Sequence, residues 1–477
     1  MIDESGPQSS SPRVVIAVLA AGHGSRMKSR APKHLHPVGG VPLVERIIRA
    51  GLECSPDRLL VVVGPKMAAM PTVLDMEGEF ETVVQDPPRG TADAVHTALR
   101  AAPEAEYLVS LLGDNPLLTG DMVRDLLGRA SGGAARITLL TCHLPDAQAY
   151  GRIDRDEHGR PARIIEAKND DPEARTGMTE INSGIMVLEA AWAREALPRL
   201  PLDPATGEFL LTDLVEMAAR EHVDGDPWPI HTVTAPADVS LGVNDRVQLA
   251  EADAIVRQRV RENLMRRGVT LIGAETIFVD ENVTIGRDTT ILPGTMITGT
   301  TTIGEGCRIG PNADIVNATI GNNVTIRSST IENSTLLDDV DAGPYAHIRS
   351  GSVVGEGAHI GNYAELKNTA FGAGAKSGHF SYLGDATIGE RVNIGAGTIT
   401  ANFDGVKKNP TIIGPDAFVG SDTVLVAPVT VHEGAKTGAG SVVNRDVPAH
   451  TTVVGVPARP IETRKRRSAS SSVQEGE

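Results

Sequence analysis

Aromatic residues are scarce in this chain, making up only 3% of its 477 residues. A conventional globular interior uses more of them, so much of the core must be filled in another way. Cysteine is scarcer still. Cys54, Cys142 and Cys307 lie far apart and form no CxxC pair, which argues against a disulfide framework or a zinc site and fits a reducing compartment. No apolar run approaches the roughly 18 residues of a membrane span. The polar, Ser-rich stretch 1–12 lacks both the basic and the apolar part of a secretory signal, so residence in the cytoplasm with no membrane partner is expected. Positive charge is also in deficit. A net charge of −16 argues against a nucleic-acid partner. The one basic cluster, Arg464-Lys465-Arg466-Arg467, sits in a Ser/Glu tail and reads as solvated and disordered.

What is present falls into two halves with different periods. Over 13–230, buried-strand runs such as Val14–Leu19, Leu59–Val63 and Tyr107–Leu112 alternate with helix-length segments. That pattern predicts a mainly parallel, doubly wound α/β sheet, with ligands beyond the carboxyl ends of its strands. Residues 244–267 contain neither Pro nor Gly and predict a connecting helix. After Gly268 the period changes. Val279, Ile285, Ile291, Ile297, Ile303, Ile309 and Ile315 stand six apart, and the spacing returns from Ile320 to Ile326, Val354 to Leu366, Ile388 to Ile394 and Ile413 to Thr437. Gly commonly follows the apolar residue. Neither a helix nor simple strand alternation has this period, but a hexapeptide-repeat parallel β-helix does, and its aliphatic column explains the missing aromatics. At about 4.8 Å per coil the prism should be on the order of 40–45 Å long. From Thr400 to Ile413 the chain is seven residues too long for the repeat, so 401–410 should project as a loop. The expected domains are therefore a disordered start (1–12), an α/β domain (13–243), a linker helix (244–267), the β-helix (268–460) and a disordered tail (461–477).

The first strand runs into Leu19-Ala20-Ala21-Gly22-His23-Gly24-Ser25-Arg26-Met27, and Lys33 follows in Ala31-Pro32-Lys33. Glycines let backbone N–H groups approach phosphate oxygens, while Arg26 and Lys33 supply charge for a triphosphate. This string resembles the sugar-1-phosphate nucleotidyltransferase signature. Together with the hexapeptide half, the chain from about 13 to 460 resembles a bifunctional family that is both N-acetylglucosamine-1-phosphate uridylyltransferase and glucosamine-1-phosphate N-acetyltransferase. The resemblance implies a left-handed β-helix, UTP and acetyl-CoA as cosubstrates, Mg²⁺ as cofactor, sugar-phosphate substrates and a homotrimer. It assigns the nucleotide to Leu19, Ala20, Gly22, Gly24 and Lys33, with Gln85, Gly90 and Thr91 at the uracil base. Asp114 and Asn244 would bind Mg²⁺, Arg26 and Lys33 would act in catalysis, and Gly151, Glu166 and Asn182 would hold N-acetylglucosamine-1-phosphate. Two positions depart from the family: His23 stands where Lys is common, and Arg89-Gly90-Thr91-Ala92-Asp93-Ala94-Val95 is closer to ADP-glucose pyrophosphorylases. The nucleotide therefore stays open between UTP, dTTP and ATP.

In the second half the distinctive string is Lys376-Ser377-Gly378-His379-Phe380-Ser381-Tyr382-Leu383-Gly384-Asp385. The amine of glucosamine is largely protonated at neutral pH and must lose a proton to attack a thioester, a task suited to an imidazole. The resemblance makes His379 that base. It also places glucosamine-1-phosphate on Arg349, Lys367, Tyr382 and Asn393, with Glu365 positioning or polarising the reacting groups. Acetyl-CoA falls to Ala396, Ser421, Ala439 and Arg459, and to Asn402, Phe403 and Lys408 of the projecting loop. Phe403 replaces a family Tyr, and the ending Gly455-Val456-Pro457-Ala458-Arg459-Pro460 is that of hexapeptide acyltransferases in general. Three readings remain: the bifunctional enzyme, a monofunctional sugar nucleotidyltransferase with a regulatory β-helix, and a non-enzymatic assembly subunit. His379 with its flanking motif speaks against the second. Arg26, Lys33, Asp114 and Asn244 together speak against the third.

Overall fold

Runs of Val, Ile and Leu that are apolar at every position form strands buried on both faces, and four of these set up the first domain. The computed structural model describes residues 12–461 apart from 23, 75, 77, 134, 148 and 171–176. The expected disordered ends therefore fall almost wholly outside the described residues, as do the basic cluster of the tail and His23. The chain divides between Val256 and Arg257 into two compact units.

The first unit contains β1 (Val14–Ala20), β2 (Arg58–Val63), β3 (Glu81–Val84), β4 (Tyr107–Leu112), β5 (Ile137–Leu144), β6 (Arg152–Arg155), β7 (Pro161–Ile165), β8 (Thr179–Glu189) and β9 (Ile230–Thr234). The main sheet runs β9-β5-β8-β4-β1-β2-β3, and β6 joins β8 to β7 at its side. Strands β4, β1, β2 and β3 are mutually parallel. Alternate residues of β1 feed two cores. Val15, Ala17 and Leu19 pack with Val95, Ala98 and Leu99 of α2 (Thr91–Ala101). Ile16, Val18 and Ala20 pack with Val44, Ile47 and Ile48 of α1 (Leu43–Leu52) and with Val123 and Leu126 of α3 (Gly120–Ser131). Helices on both faces make the sheet doubly wound. It is more mixed than the run of apolar segments implied, because β8 is antiparallel to both β4 and β5.

The longest helix among the described residues, α4 (Arg246–Arg266), includes the point at which the chain divides into the two units. The second unit is a three-sided parallel β-helix, its faces formed by sheets of 12, 10 and 9 short strands. Each coil contributes a strand to each face, with the aliphatic residue inward and often Thr outward, as in Thr284-Ile285 paired with Thr302-Ile303. The inward column is aliphatic, and Phe371 is its sole aromatic among the described residues. Burying each Ile is worth about 1.5–3 kcal/mol relative to leaving it in water. The backbone of the next coil passes so close that small residues are required at the turns. A Cβ on Gly395 would lie 2.5 Å from the Ser421 nitrogen. The stack is continuous through the apparent gap in the repeat, where Ile331, Leu336, Ala342 and Ile348 fill the inward positions. On the first face eleven strands are parallel and the last, Arg459–Pro460, returns antiparallel, so the prism is on the order of 50 Å long. Among the described residues no helix is long and apolar enough to cross a membrane.

Candidate functional site

Pairing in the first sheet aligns the strand ends. Ala20 lies beside Val63 and Val63 beside Val84, while Leu19 lies beside Leu112. The turn after β1, Gln85 and Asp114 therefore emerge along one edge. There they line an open cleft of about 540 Å³ with Leu19, Gly22, Gly24, Arg26, Lys33, Gly90, Thr91 and Asn244. Of the residues assigned to the nucleotide, only Ala20 is absent from it. Ala20 is buried and lines the adjoining cavity instead.

Charge is tightly organised in this cleft. The buried Lys33 ammonium donates to Asp114 Oδ2 at 2.5 Å and to Asn244 Oδ1 at 3.4 Å, and Arg26 Nη2 donates to the same Asn244 oxygen at 2.9 Å. Asn244 is held in reach because the Val243 N–H donates to the Asp114 carbonyl at 2.8 Å. Gly24 is required by the close approach of Lys33. It adopts φ 60°, and a Cβ there would stand 2.5 Å from Lys33 Cβ. His34 lines the same cleft, and its pKa is lowered to about 4 by burial and by the Lys33 charge, so its imidazole is neutral at pH 7.

Gly151, Glu166 and Asn182 form a separate cluster around the β6–β7 hairpin. The Asn182 N–H donates to the Gly151 carbonyl at 2.8 Å, Thr212 Oγ1 donates to Glu166 Oε1 at 2.8 Å, and the Gly184 N–H donates to Asn182 Oδ1 at 3.1 Å. These three residues do not line the 540 Å³ cleft. Glu208, which does, carried no signal in the sequence.

On the second face of the β-helix, strands His347–Arg349, Ala364–Lys367 and Ser381–Gly384 stack in register, with Arg349 beside Lys367 and Glu365 beside Tyr382. Arg349 Nη1 bonds Glu365 Oε1 at 2.7 Å. Lys408 stands within hydrogen-bonding reach of Lys367, and that contact, followed by the like charges of Lys408 and Arg349, holds the Lys367 ammonium below the usual lysine range. Three cations thus crowd one exposed surface. Asp385, which was given no role from the sequence, anchors this group. Its oxygens accept from Asn368 Nδ2 at 2.8 Å and Asn402 Nδ2 at 2.6 Å, and Lys408 Nζ lies 3.9 Å away. The segment carrying Asn402 and Lys408 projects as a small hairpin, closed by pairing of Phe403 with Lys408 and by Asp404, which accepts from the N–H groups of Val406 and Lys407. Phe403 is exposed at its side.

The remaining residues follow the corner between the first and second faces. Ser377 pairs with Ile394, Ile394 with Val419, and Lys436 follows Phe418 in the same sheet. Two residues beyond these strands, His379, Ala396, Ser421 and Ala439 occupy equivalent turns of four successive coils. Backbone bonds tie the column together: the Gly397 N–H donates to the Phe380 carbonyl, Asp422 N–H to Ala396 and Gly440 N–H to Ser421. His379 is exposed at one end, and Ala439 and Ser421 are exposed above it. Asn393 projects from the first face, around the corner from the cation cluster, and Arg459 lies on the antiparallel end strand.

Comparison with known proteins agrees with this division. Residues 16–149 match the MobA-like NTP transferase domain, and residues 410–445 match the hexapeptide repeat of succinyl-transferase. The GMPPB C-terminal domain matches over 272–361 and 295–402. Full-length relatives named bifunctional protein GlmU include one from Exiguobacterium sp., 40% identical over 94% of this chain and 97% of its own length. Others come from Pelobacter propionicus, 42% identical over 92% of this chain and 95% of its own, and Heliobacterium modesticaldum, 42% identical over 92% and 94%. With both domain types present in one chain and similarity running through both, this protein belongs to the GlmU family of bifunctional enzymes, a nucleotidyltransferase and an acyltransferase on one polypeptide.

Proposed function

We propose that the β-helix unit acetylates glucosamine-1-phosphate with acetyl-CoA, and that the α/β unit then transfers uridylyl from UTP to the N-acetylglucosamine-1-phosphate formed. UDP-N-acetylglucosamine and pyrophosphate are the products. The observation that carries this reading is that each unit packs cations closely at one open surface: Arg26 with Lys33, and Arg349 with Lys367 and Lys408. Surfaces of that kind suit phosphate groups.

In nucleotidyl transfer the sugar phosphate oxygen attacks the α-phosphorus of the triphosphate and the bond to pyrophosphate breaks. The nucleophile is already an anion, so no base is needed. Lys33 and Arg26 hold the triphosphate and stabilise the charge that builds on it. Mg²⁺ suits the donors here, since the Asp114 carboxylate and the Asn244 carboxamide oxygen already converge on a cation, the Lys33 ammonium. Two oxygen donors completed by substrate phosphates and water are a normal Mg²⁺ set. Those two residues would hold the ion, which when bound neutralises charge on the transferring phosphates.

In acetyl transfer the glucosamine nitrogen attacks the thioester carbonyl, His379 takes the proton the nitrogen loses, and the C–S bond breaks as that proton passes to the departing coenzyme A sulfur. The corner column of Ala396, Ser421 and Ala439 offers small side chains along which a pantetheine arm can lie against backbone. The decisive assay supplies glucosamine-1-phosphate, acetyl-CoA and UTP, dTTP or ATP to the purified protein. UDP-N-acetylglucosamine should form, and its absence with every nucleotide while acetylation proceeds would overturn the nucleotidyl half.

The protein should act as a homotrimer whose acetyl-transfer sites are shared. Asn393 stands on a different face from Arg349, Lys367 and Tyr382, and a second prism laid against the corner would bring two such faces together. Tyr345, Tyr363 and Phe380, at 56%, 65% and 58% exposure, line up on successive coils at that corner, the two Tyr rings stacked at 5.3 Å. In a chain so poor in aromatics, such a row suits a protein neighbour. Cyclic closure is the usual outcome of such head-to-tail contacts. Mixing inactive N393A and K367A chains after dissociation should restore acetyl transfer; no recovery despite subunit exchange would show that each chain builds its own site.

A further inference from the structure

Gln85 carries a carboxamide whose two ends are nearly equal in size, so what it offers a ligand depends on what holds it. The Gln85 N–H is fixed by the Val63 carbonyl at 2.9 Å, which ties the residue to the end of β2. Its side-chain Nε2 donates to Asp93 Oδ2 at 2.8 Å and to the Gly90 carbonyl at 3.2 Å. A carboxylate and a carbonyl only accept, so the amide can face them only through its NH₂ group. Both N–H bonds of that group are then used. The opposite end, Oε1, has no partner among the described residues, in a residue that is only 3% exposed. It is the polar atom that Gln85 presents to the cleft it lines.

Asp93 is itself held firmly. It lies in the first turn of α2, where a carboxylate is favoured by the helix dipole. Its second oxygen, Oδ1, pairs with Arg89 Nη2 at 3.1 Å, and its side chain is 13% exposed. Arg89 in turn lies over the Phe209 ring. The arrangement Arg89–Asp93–Gln85 therefore runs from a surface cation to the floor of the cleft.

We infer that Asp93 is a positioning residue for nucleobase choice: it locks the Gln85 carboxamide so that this side chain offers the base an acceptor and no donor. This rests on the nucleotidyl-transfer reading above and adds its base preference. An acceptor at this point is matched by a pyrimidine whose ring N3 carries hydrogen, as in uracil and thymine. Cytosine presents a bare N3 lone pair there, which would oppose the Gln85 oxygen. The cleft therefore selects UTP or dTTP over CTP, through a residue that makes no contact with the base itself. A site with a fixed hydrogen-bonding group discriminates strongly against a partner that cannot match it.

The test is titration calorimetry of the full-length protein with UTP and with CTP, alongside KM for N-acetylglucosamine-1-phosphate. The unaltered protein should prefer UTP by about 100-fold or more. In D93A only the longer bond to the Gly90 carbonyl still holds the amide, which can then turn over more readily, and the preference should fall to within about tenfold while KM for the sugar phosphate stays put. D93E keeps an acceptor-only group and should recover most of the preference. R89Q removes the outer ion pair but leaves the Asp93–Gln85 bond, and should keep it. Should D93A melt early, D93N preserves the volume, admits either amide orientation and should relax the preference in the same direction. A folded D93A or D93N with the full UTP preference overturns the positioning role while nucleotidyl transfer stands, as does equal binding of UTP and CTP by the unaltered protein. Failure of the unaltered protein to bind any nucleoside triphosphate removes the nucleotidyl-transfer reading and this inference with it.

Discussion

Replacing His379 with Ala should lower acetyl transfer by about 10²–10⁴-fold, the usual worth of a general base, and leave nucleotidyl transfer untouched. The amine of the sugar enters mostly as an ammonium ion and cannot attack until a proton is removed. His379 stands at the exposed corner where the first and second faces meet, one coil below Ala396 and beside the strand that carries Tyr382. Around the edge from it, Arg349, Lys367 and Lys408 offer a place for the phosphate of the same substrate. Release of the coenzyme A thiol, followed with a thiol reagent at saturating substrate, reads the step directly. Because the His379 side chain is exposed, its loss should not lower the melting temperature, which separates a chemical defect from a folding one. A loss smaller than about tenfold would place the base elsewhere.

A loss of comparable size, about 10²–10³-fold, is expected for nucleotidyl transfer in K33A. Lys33 is buried against Gly24 and bonds both Asp114 and Asn244. Removing it takes away a fixed positive charge from the point where the triphosphate must sit, and leaves the Asp114 carboxylate without its cation. K33R should recover little, since a planar guanidinium is longer and forks where an ammonium is compact. Pyrophosphate release coupled to a colour reaction measures the effect, with acetyl transfer by the same sample as the internal control. Parallel loss of both activities in a folded protein would contradict two independent sites.

Much of this could be read before any coordinates. The aliphatic column from Val279 to Ile315 announced the β-helix because each inward position repeats the same packing problem. The glycines that follow these residues lie where the next coil crosses, and the insertion after Thr400 does leave the prism as a hairpin. The repeat was lost between Ile326 and Val354 for a physical reason. Two successive turns, from Ile326 to Ile331 and from Ile331 to Leu336, are one residue shorter, and a small Ala342 fills the next inward place, so the six-residue row of large aliphatics is broken at three points in succession. The antiparallel direction of β8 is not legible in the sequence, because direction leaves no trace in a doubly buried strand. The roles of Asp385 and Asp93 are hidden in the sequence for a related reason. Each acts by orienting another side chain, and such a role is visible only when the distances are known.

The corner that carries His379, Ala396, Ser421 and Ala439 makes the prism a ruler. Coils are separated by the strand spacing, about 4.8 Å, so Ala439 stands three graduations, or roughly 14 Å, from the base. The scale is set by hydrogen bonds between backbones, such as Gly440 N–H to Ser421 and Asp422 N–H to Ala396, and not by the identity of the side chains along it. Substitution can roughen the edge but cannot change the length it measures. Only gain or loss of a whole coil can do that, and it would do so in one discrete step. On the proposed reading, with the pantetheine arm along this edge, an acyl donor with a longer or shorter arm would be distinguished by counting, as a fixed number of backbone repeats between the reacting carbon and the far end of the track.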